Sequence, residues 1–211
     1  PVLETRIREL VQRAGLRAGR ILQVDASRRS RHSNAYFTGL GPVKRIVLFD
    51  TLLAGATHDE ILAVLAHELG HWKLRHVLWR LVRVEAVALV GLYAAFRLLR
   101  WEGLPQLAGL TIASFPARVM ILGFAASWLA WLLAPLGSAL SRRDEWAADR
   151  YAVRLGVAPA HLGAALAKLA RDNLANLHPH PLYAWFFYSH PPVVERIRAL
   201  RREGPPAEGA A

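Results

Sequence analysis

The chain has 211 residues, room for one ordinary domain or for a compact domain carrying a membrane insertion, and 54% of them are hydrophobic. Its formal charge is +11, with ten Lys/Arg against three Asp/Glu in residues 1–45. No nucleic-acid motif accompanies that surplus, which suits an anionic membrane leaflet better than nucleic acid, and the absence of cysteine leaves only His, Asp and Glu to hold a metal.

The chain opens on Pro1 without a leader pattern and reads as a piece of something longer. Glu4 to Arg17 carries apolar residues at helical spacing, with Gly15 and Gly19 to end it. Three short strands follow, "ILQVD" (21–25), "NAYFTG" (34–39) and "RIVLFD" (45–50), separated by an arginine/serine loop and a Gly-Pro turn. "NAYFTG" fits either an exposed edge onto which an extended peptide adds or a buried strand ending in Asn. Thr57 and Glu60 form a capping box that starts the next helix.

That helix contains "HELGH". His67 and His71 are four apart, so both imidazoles leave one face and can share a metal ion, while Glu68 between them reaches a metal-bound water. His76, five residues beyond His71, falls off that face and takes no role in this reading.

From Val119 to Ser141 no residue is charged. At about 1.5 Å per residue this run crosses roughly 30 Å of hydrocarbon. Val77 to Leu99 is less clean, interrupted by Arg80, Arg83 and Glu85, and residues 103–117, broken by two prolines, read as a loop or re-entrant piece. The two apolar runs are expected to form a membrane hairpin rather than one buried in a soluble domain. Lys73, Arg75, Arg80 and Arg83 at one end, with Arg142 and Arg143 at the other, place both flanks in the cytoplasm.

A separate helix is expected after Ser141, through Leu155, ended by Gly156. Its "SRRDEWAADRYA" offers Glu145 as the third metal ligand, with Asp149 one turn later on the same face. Residues 158–173 form a further helix, a His/Pro-rich loop follows in which "HPHP" reads as a stiff turn, and a last helix starts after Pro191 and Pro192 and runs to about Arg202.

Taken together, "SNAYFTG", "KRIVLFDTLL", "LAHELGHWK", "SRRDEWAADRYA" and "SHPPVVERI" resemble the CAAX prenyl protease type 1 family of integral-membrane zinc endopeptidases, with a broader likeness to bacterial heat-shock membrane proteases. The resemblance covers roughly residues 20–200 and the C-terminal half of such proteins, so upstream transmembrane helices are expected to be missing. It implies Zn2+ bound by His67, His71 and Glu145, with Glu68 as the catalytic base. It further implies that Asp149 orients a ligand histidine, Asn34 holds substrate backbone, and His190 stabilises the oxyanion.

The expected fold class is α+β, mainly α: a gluzincin-like zinc protease domain with a small N-terminal sheet and an inserted transmembrane helical hairpin. Its parts are 1–76 (helix, sheet and HExxH helix), 77–140 (hairpin), 141–202 (second ligand helix and C-terminal helices) and a frayed tail at 203–211. The expected function is a multi-pass endopeptidase hydrolysing peptides or proteins of prenyl-CAAX-like or other membrane-associated kind, with membrane lipid as its surroundings and no nucleic-acid partner. Alternatives are a membrane-protein quality-control protease without CAAX specificity and a non-catalytic zinc-binding adaptor. The arginine- and alanine-rich composition suggests a bacterial inner membrane, with the catalytic site on the cytoplasmic side.

Overall fold

The computed structural model describes residues 2–28, 34–39 and 43–203. The first helix, α1 (Val2–Arg13), buries Ile7, Leu10 and Val11 and leaves its charged residues outside. It stops short of the expected Arg17, because Gly15 takes a left-handed φ of 70° and the chain turns directly into a strand. That strand, β1 (Arg17–Val24), begins four residues earlier than its apolar pattern suggested. β2 (Ala35–Thr38) and β3 (Val43–Phe49) complete a three-stranded sheet of order β1-β3-β2. β3 pairs parallel with β1 and antiparallel with β2, and its Ile46, Val47 and Leu48 are all buried, as befits a central strand. The expected arginine/serine loop and Gly-Pro turn fall largely outside the described residues.

A short helix, α2 (Asp50–Gly55), leaves β3 at once. The Asp50 carboxylate accepts hydrogen bonds from the backbone N–H groups of Ala26, Ser27 and Thr51, tying the exit of β1 to this turn. α3 (His58–Lys73) starts at the expected capping box: Thr57 Oγ1 accepts from Glu60 N–H, and the Glu60 carboxylate accepts from Thr57 N–H. Glu60 also meets Lys168 at 2.6 Å, so its buried charge is paired. Ten consecutive-turn residues of α3 from Glu60 to Gly70 are buried, which makes it the helix around which the domain packs. Each fully buried Leu or Ile there contributes about 1.5–3 kcal/mol.

α4 (His76–Leu99) leads away from this core, and α5 (Gly103–Leu107) occupies part of the stretch expected to be irregular. α6 (Phe115–Arg154) then returns as one helix of 40 residues. The expected interruption after Ser141 is absent. No proline follows Pro135 in this helix, so nothing in the backbone stops it until Gly156, at a φ of 96°. α4 and α6 run antiparallel, since Arg83 meets Asp144 at 3.3 Å while Arg118 reaches the Leu99 carbonyl at 3.2 Å. α6 is the one described helix long and apolar enough to cross a membrane, and its apolar window is almost wholly exposed.

The chain closes with α7 (Pro159–Asp172), α8 (Pro181–Phe187) and α9 (Val193–Glu203). α8 lies within the expected His/Pro loop, its Pro181 supplying a first helical turn that needs no N–H. Arg142 of α6 donates to the carbonyls of Trp185 and Tyr188, and Trp131 packs on Phe186 at 4.9 Å, so α8 rests against the long helix.

Candidate metal centre

α3 and α6 cross where the site forms. Gly70, inside "HELGH", allows the approach: a Cβ there would stand 3.0 Å from Ala148 Cα and 3.1 Å from its carbonyl oxygen. The contact brings Glu145 and Asp149, one turn apart on α6, against His67 and His71, one turn apart on α3.

His67 Nε2 and His71 Nε2 face each other at 3.1 Å. Glu145 presents Oε2 to His67 Nε2 at 3.4 Å and Oε1 to His71 Nε2 at 3.3 Å. These three residues can each offer a donor atom within 4.8 Å of the others, a cluster that could hold a metal ion. The fit has a second support. Glu145 Oε2 is buried and accepts no hydrogen bond, although carboxylate oxygens seldom go without one. Two imidazoles and a carboxylate, with no thiolate, form a set suited to zinc in a catalytic site.

The surroundings shift Glu145, His67 and Glu68 away from their ordinary values. Burial favours the neutral acid at Glu145, yet the His67 and His71 imidazoles beside it hold it far below the usual carboxylate range. Burial likewise opposes a proton on His67, but the Asp149 and Glu145 carboxylates outweigh it and raise that histidine to about 9. A metal ion on His67 Nε2 must displace a proton, so metal affinity weakens in acid. Burial pushes Glu68 upward, with His67 and His71 only partly opposing it. Its carboxylate is therefore a stronger proton acceptor than an exposed one.

A cavity of about 720 Å³ opens beside the cluster. Asn34, His67, Glu68, His71, Glu145 and His190 all line it, so residues from four separated stretches meet in one space. His190 Nε2 lies 3.4 Å from Glu145 Oε1, on an exposed side chain. Asn34 sits just before β2, its Oδ1 accepting from Ala35 N–H and its carbonyl accepting from Phe49 N–H. Asp149 stands behind the cavity, with Oδ1 2.8 Å from His67 Nδ1. Leu162, Leu166 and Leu169 of α7 give the space an apolar wall.

Two residues outside the expected set belong to this site. Arg196 of α9 is buried and grips Asp149 with two hydrogen bonds of 2.6 and 2.8 Å, while its Nη1 lies 3.3 Å from Glu145 Oε2. The sequence carries a trace of it: with Val193, Ile197 and Leu200 it shares the face of α9 that packs on the core. His76 corrects the reading from helical spacing. It is buried, and its Nδ1 lies 3.0 Å from His71 Nδ1. The spacing argument failed because α3 does not continue through residue 76: Arg75 takes the left-handed conformation, φ 57° and ψ 33°, and swings His76 back.

The sequence profile of peptidase family M48 matches residues 1–204. A CAAX prenyl protease 1 homolog from Arabidopsis thaliana is 40% identical over 211 residues, covering 95% of this chain and 47% of the relative. CAAX prenyl protease 1 of Saccharomyces cerevisiae is 37% identical over 218 residues, covering 94% of this chain and 47% of that protein. Among solved structures, the crystal structure of S. mikatae Ste24p superposes with a TM-score of 0.81 at 34% identity, over 94% of this chain and 49% of that one. The chain thus spans about half the length of the relatives it matches. All three sources are eukaryotic, so these matches lend no support to a bacterial membrane.

Proposed function

As this chain belongs to peptidase family M48, we propose that it forms the catalytic portion of a zinc endopeptidase working at a membrane surface. The observation that carries this reading is the meeting of His67, His71 and Glu145 beside Glu68 in one cavity. A purely structural metal site needs ligands but no base, and here the half-buried Glu68 carboxylate accompanies the ligands. When bound, zinc supplies Lewis acidity toward water and toward the carbonyl of a scissile peptide bond.

The chain's own residues then divide the remaining work. Glu68, its proton affinity raised by burial, accepts a proton from the attacking water and returns it to the leaving amine. His190, at the mouth of the cavity, donates an N–H to the oxygen of the carbonyl under attack. Asp149 holds His67 by Nδ1, which keeps Nε2 turned toward the ligand cluster. Asn34, at the entry to an edge strand, offers its side chain to an extended substrate backbone, and the leucines of α7 receive apolar side chains beside it.

The similarity to proteins named CAAX prenyl protease 1 suggests prenyl-CAAX-like protein substrates. A membrane setting is supported by α6 with its antiparallel neighbour α4, which we read as a hairpin with both flanks in the cytoplasm. The deciding experiment combines zinc analysis with cleavage of a quenched peptide. Glu68→Gln should retain zinc and lose cleavage, whereas Glu145→Ala should lose zinc. Undiminished cleavage by Glu68→Gln would overturn the mechanism.

A further inference from the structure

His71 has both ring nitrogens engaged. Its Nε2 is turned toward His67 and Glu145, the side on which a metal ion would sit. Its Nδ1 meets His76 Nδ1 at 3.0 Å. His67 is arranged in the same way, with Nε2 on the cluster and Nδ1 against Asp149 at 2.8 Å. The two candidate ligands therefore each have a partner on the nitrogen away from the metal, a carboxylate for one and an imidazole for the other.

Resting on the metal-site reading above, we propose that His76 is a positioning residue for His71, fixing its tautomer and ring orientation through Nδ1. The tautomers follow from the contacts. A neutral His71 that gives Nε2 to a metal must carry its proton on Nδ1, and that proton needs an acceptor. Across 3.0 Å the acceptor is His76 Nδ1, which puts the proton of His76 on Nε2. His76 Nε2 in turn faces Asp144 Oδ1 at 3.9 Å, and Arg83 holds the other Asp144 oxygen at 3.3 Å. The imidazole of His76 is thus poised between the ligand it orients and a carboxylate that favours its Nε2–H form.

The backbone is built for this contact. On a continuous helix, a residue five positions after His71 would lie about 140° of helical rotation away, out of reach. Arg75 instead adopts a left-handed conformation that glycine normally takes, and α4 begins with His76 turned toward the α3–α6 crossing. The ring is buried there, against His71 at a centroid distance of 5.0 Å and an interplanar angle of 77°.

The test compares zinc affinity, by chelator competition, and the visible absorption of the cobalt-substituted protein in the full chain and three variants. His76→Asn leaves an amide near the position of Nδ1, and His76→Gln places one nearer Nε2. His76→Ala and His76→Gln should bind zinc about 10–100-fold more weakly than the parent and shift the cobalt bands, while His76→Asn should recover most of the affinity and the parent spectrum. Because Asn and Gln differ little in bulk or polarity, their contrast separates positioning from packing. Parent-like affinity in His76→Ala, or equal losses in Asn and Gln, overturns this inference alone. A parent chain that binds no zinc overturns it together with the metal-site reading.

Discussion

At the scale of single residues, Arg196 shows why a site's supports are harder to read than its ligands. His67, Glu68 and His71 announce themselves by spacing on one helix, and Glu145 by its place at the return of the apolar run. Arg196 is one of four arginines on α9, 47 residues beyond Asp149, and only the packing of that helix singles it out for the pairing. Once buried, it neutralises Asp149 and stands against Glu145, so two carboxylates survive in a place with little water. Removing one partner of such a pair strands the other charge and costs about 3–5 kcal/mol. Arg196→Met should therefore lower unfolding stability by about that amount in denaturant titrations, and adding Asp149→Asn should recover part of it. Arg196→Lys should not substitute, since one ammonium cannot reproduce the two-point grip on Asp149.

At the scale of elements, the helices and strands were legible where apolar periodicity or a cap dictated them. The capping box at Thr57 and the strand at β3 are examples. Sheet order was not legible, because β1 and β3 become neighbours only through contacts that alternation cannot encode. Nor was the continuity of α6, whose charged last third differs in composition from the apolar stretch before it although the backbone is unbroken. Gly70 sits within the HELGH motif, but its reason lies in the crossing. In an open helix, Gly→Ala gains about 1 kcal/mol of helix propensity. Here the added methyl meets the Ala148 backbone at 3.0–3.1 Å, and backbone cannot swing aside as a side-chain end can. Overpacking of this kind costs about 1–3 kcal/mol, so the steric effect should exceed the propensity gain. Gly70→Ala should lower the thermal midpoint and, by parting α3 from α6, weaken zinc binding; a raised midpoint with unchanged affinity would refute the close-crossing argument.

At the scale of the whole molecule, the long detour between His71 and Glu145 has a single geometric result. α4 carries the chain out, α6 brings it back, and the returning helix delivers Glu145 and Asp149 to the motif it left. Hydropathy revealed the outward and return runs because a long run of exposed apolar side chains leaves a compositional mark. Leu129, Leu132, Leu133 and Leu136 are all exposed on α6, as are Val87, Leu89, Val90 and Leu92 on α4. Water alone would not favour such surfaces, whereas lipid or further helices would cover them. The uncharged stretch from Val119 to Ser141 is about 34 Å long as a helix, against a hydrocarbon core of about 30 Å. Leu129 falls near its midpoint. An arginine there costs about 2.5–3.5 kcal/mol in membrane insertion, whereas an alanine costs far less. Leu129→Arg should therefore move protein from the alkali-resistant membrane fraction into the supernatant, and Leu129→Ala should not. Monodisperse protein without detergent, in the parent chain as well, would remove the membrane from the proposed function and leave the zinc site to stand on its own geometry.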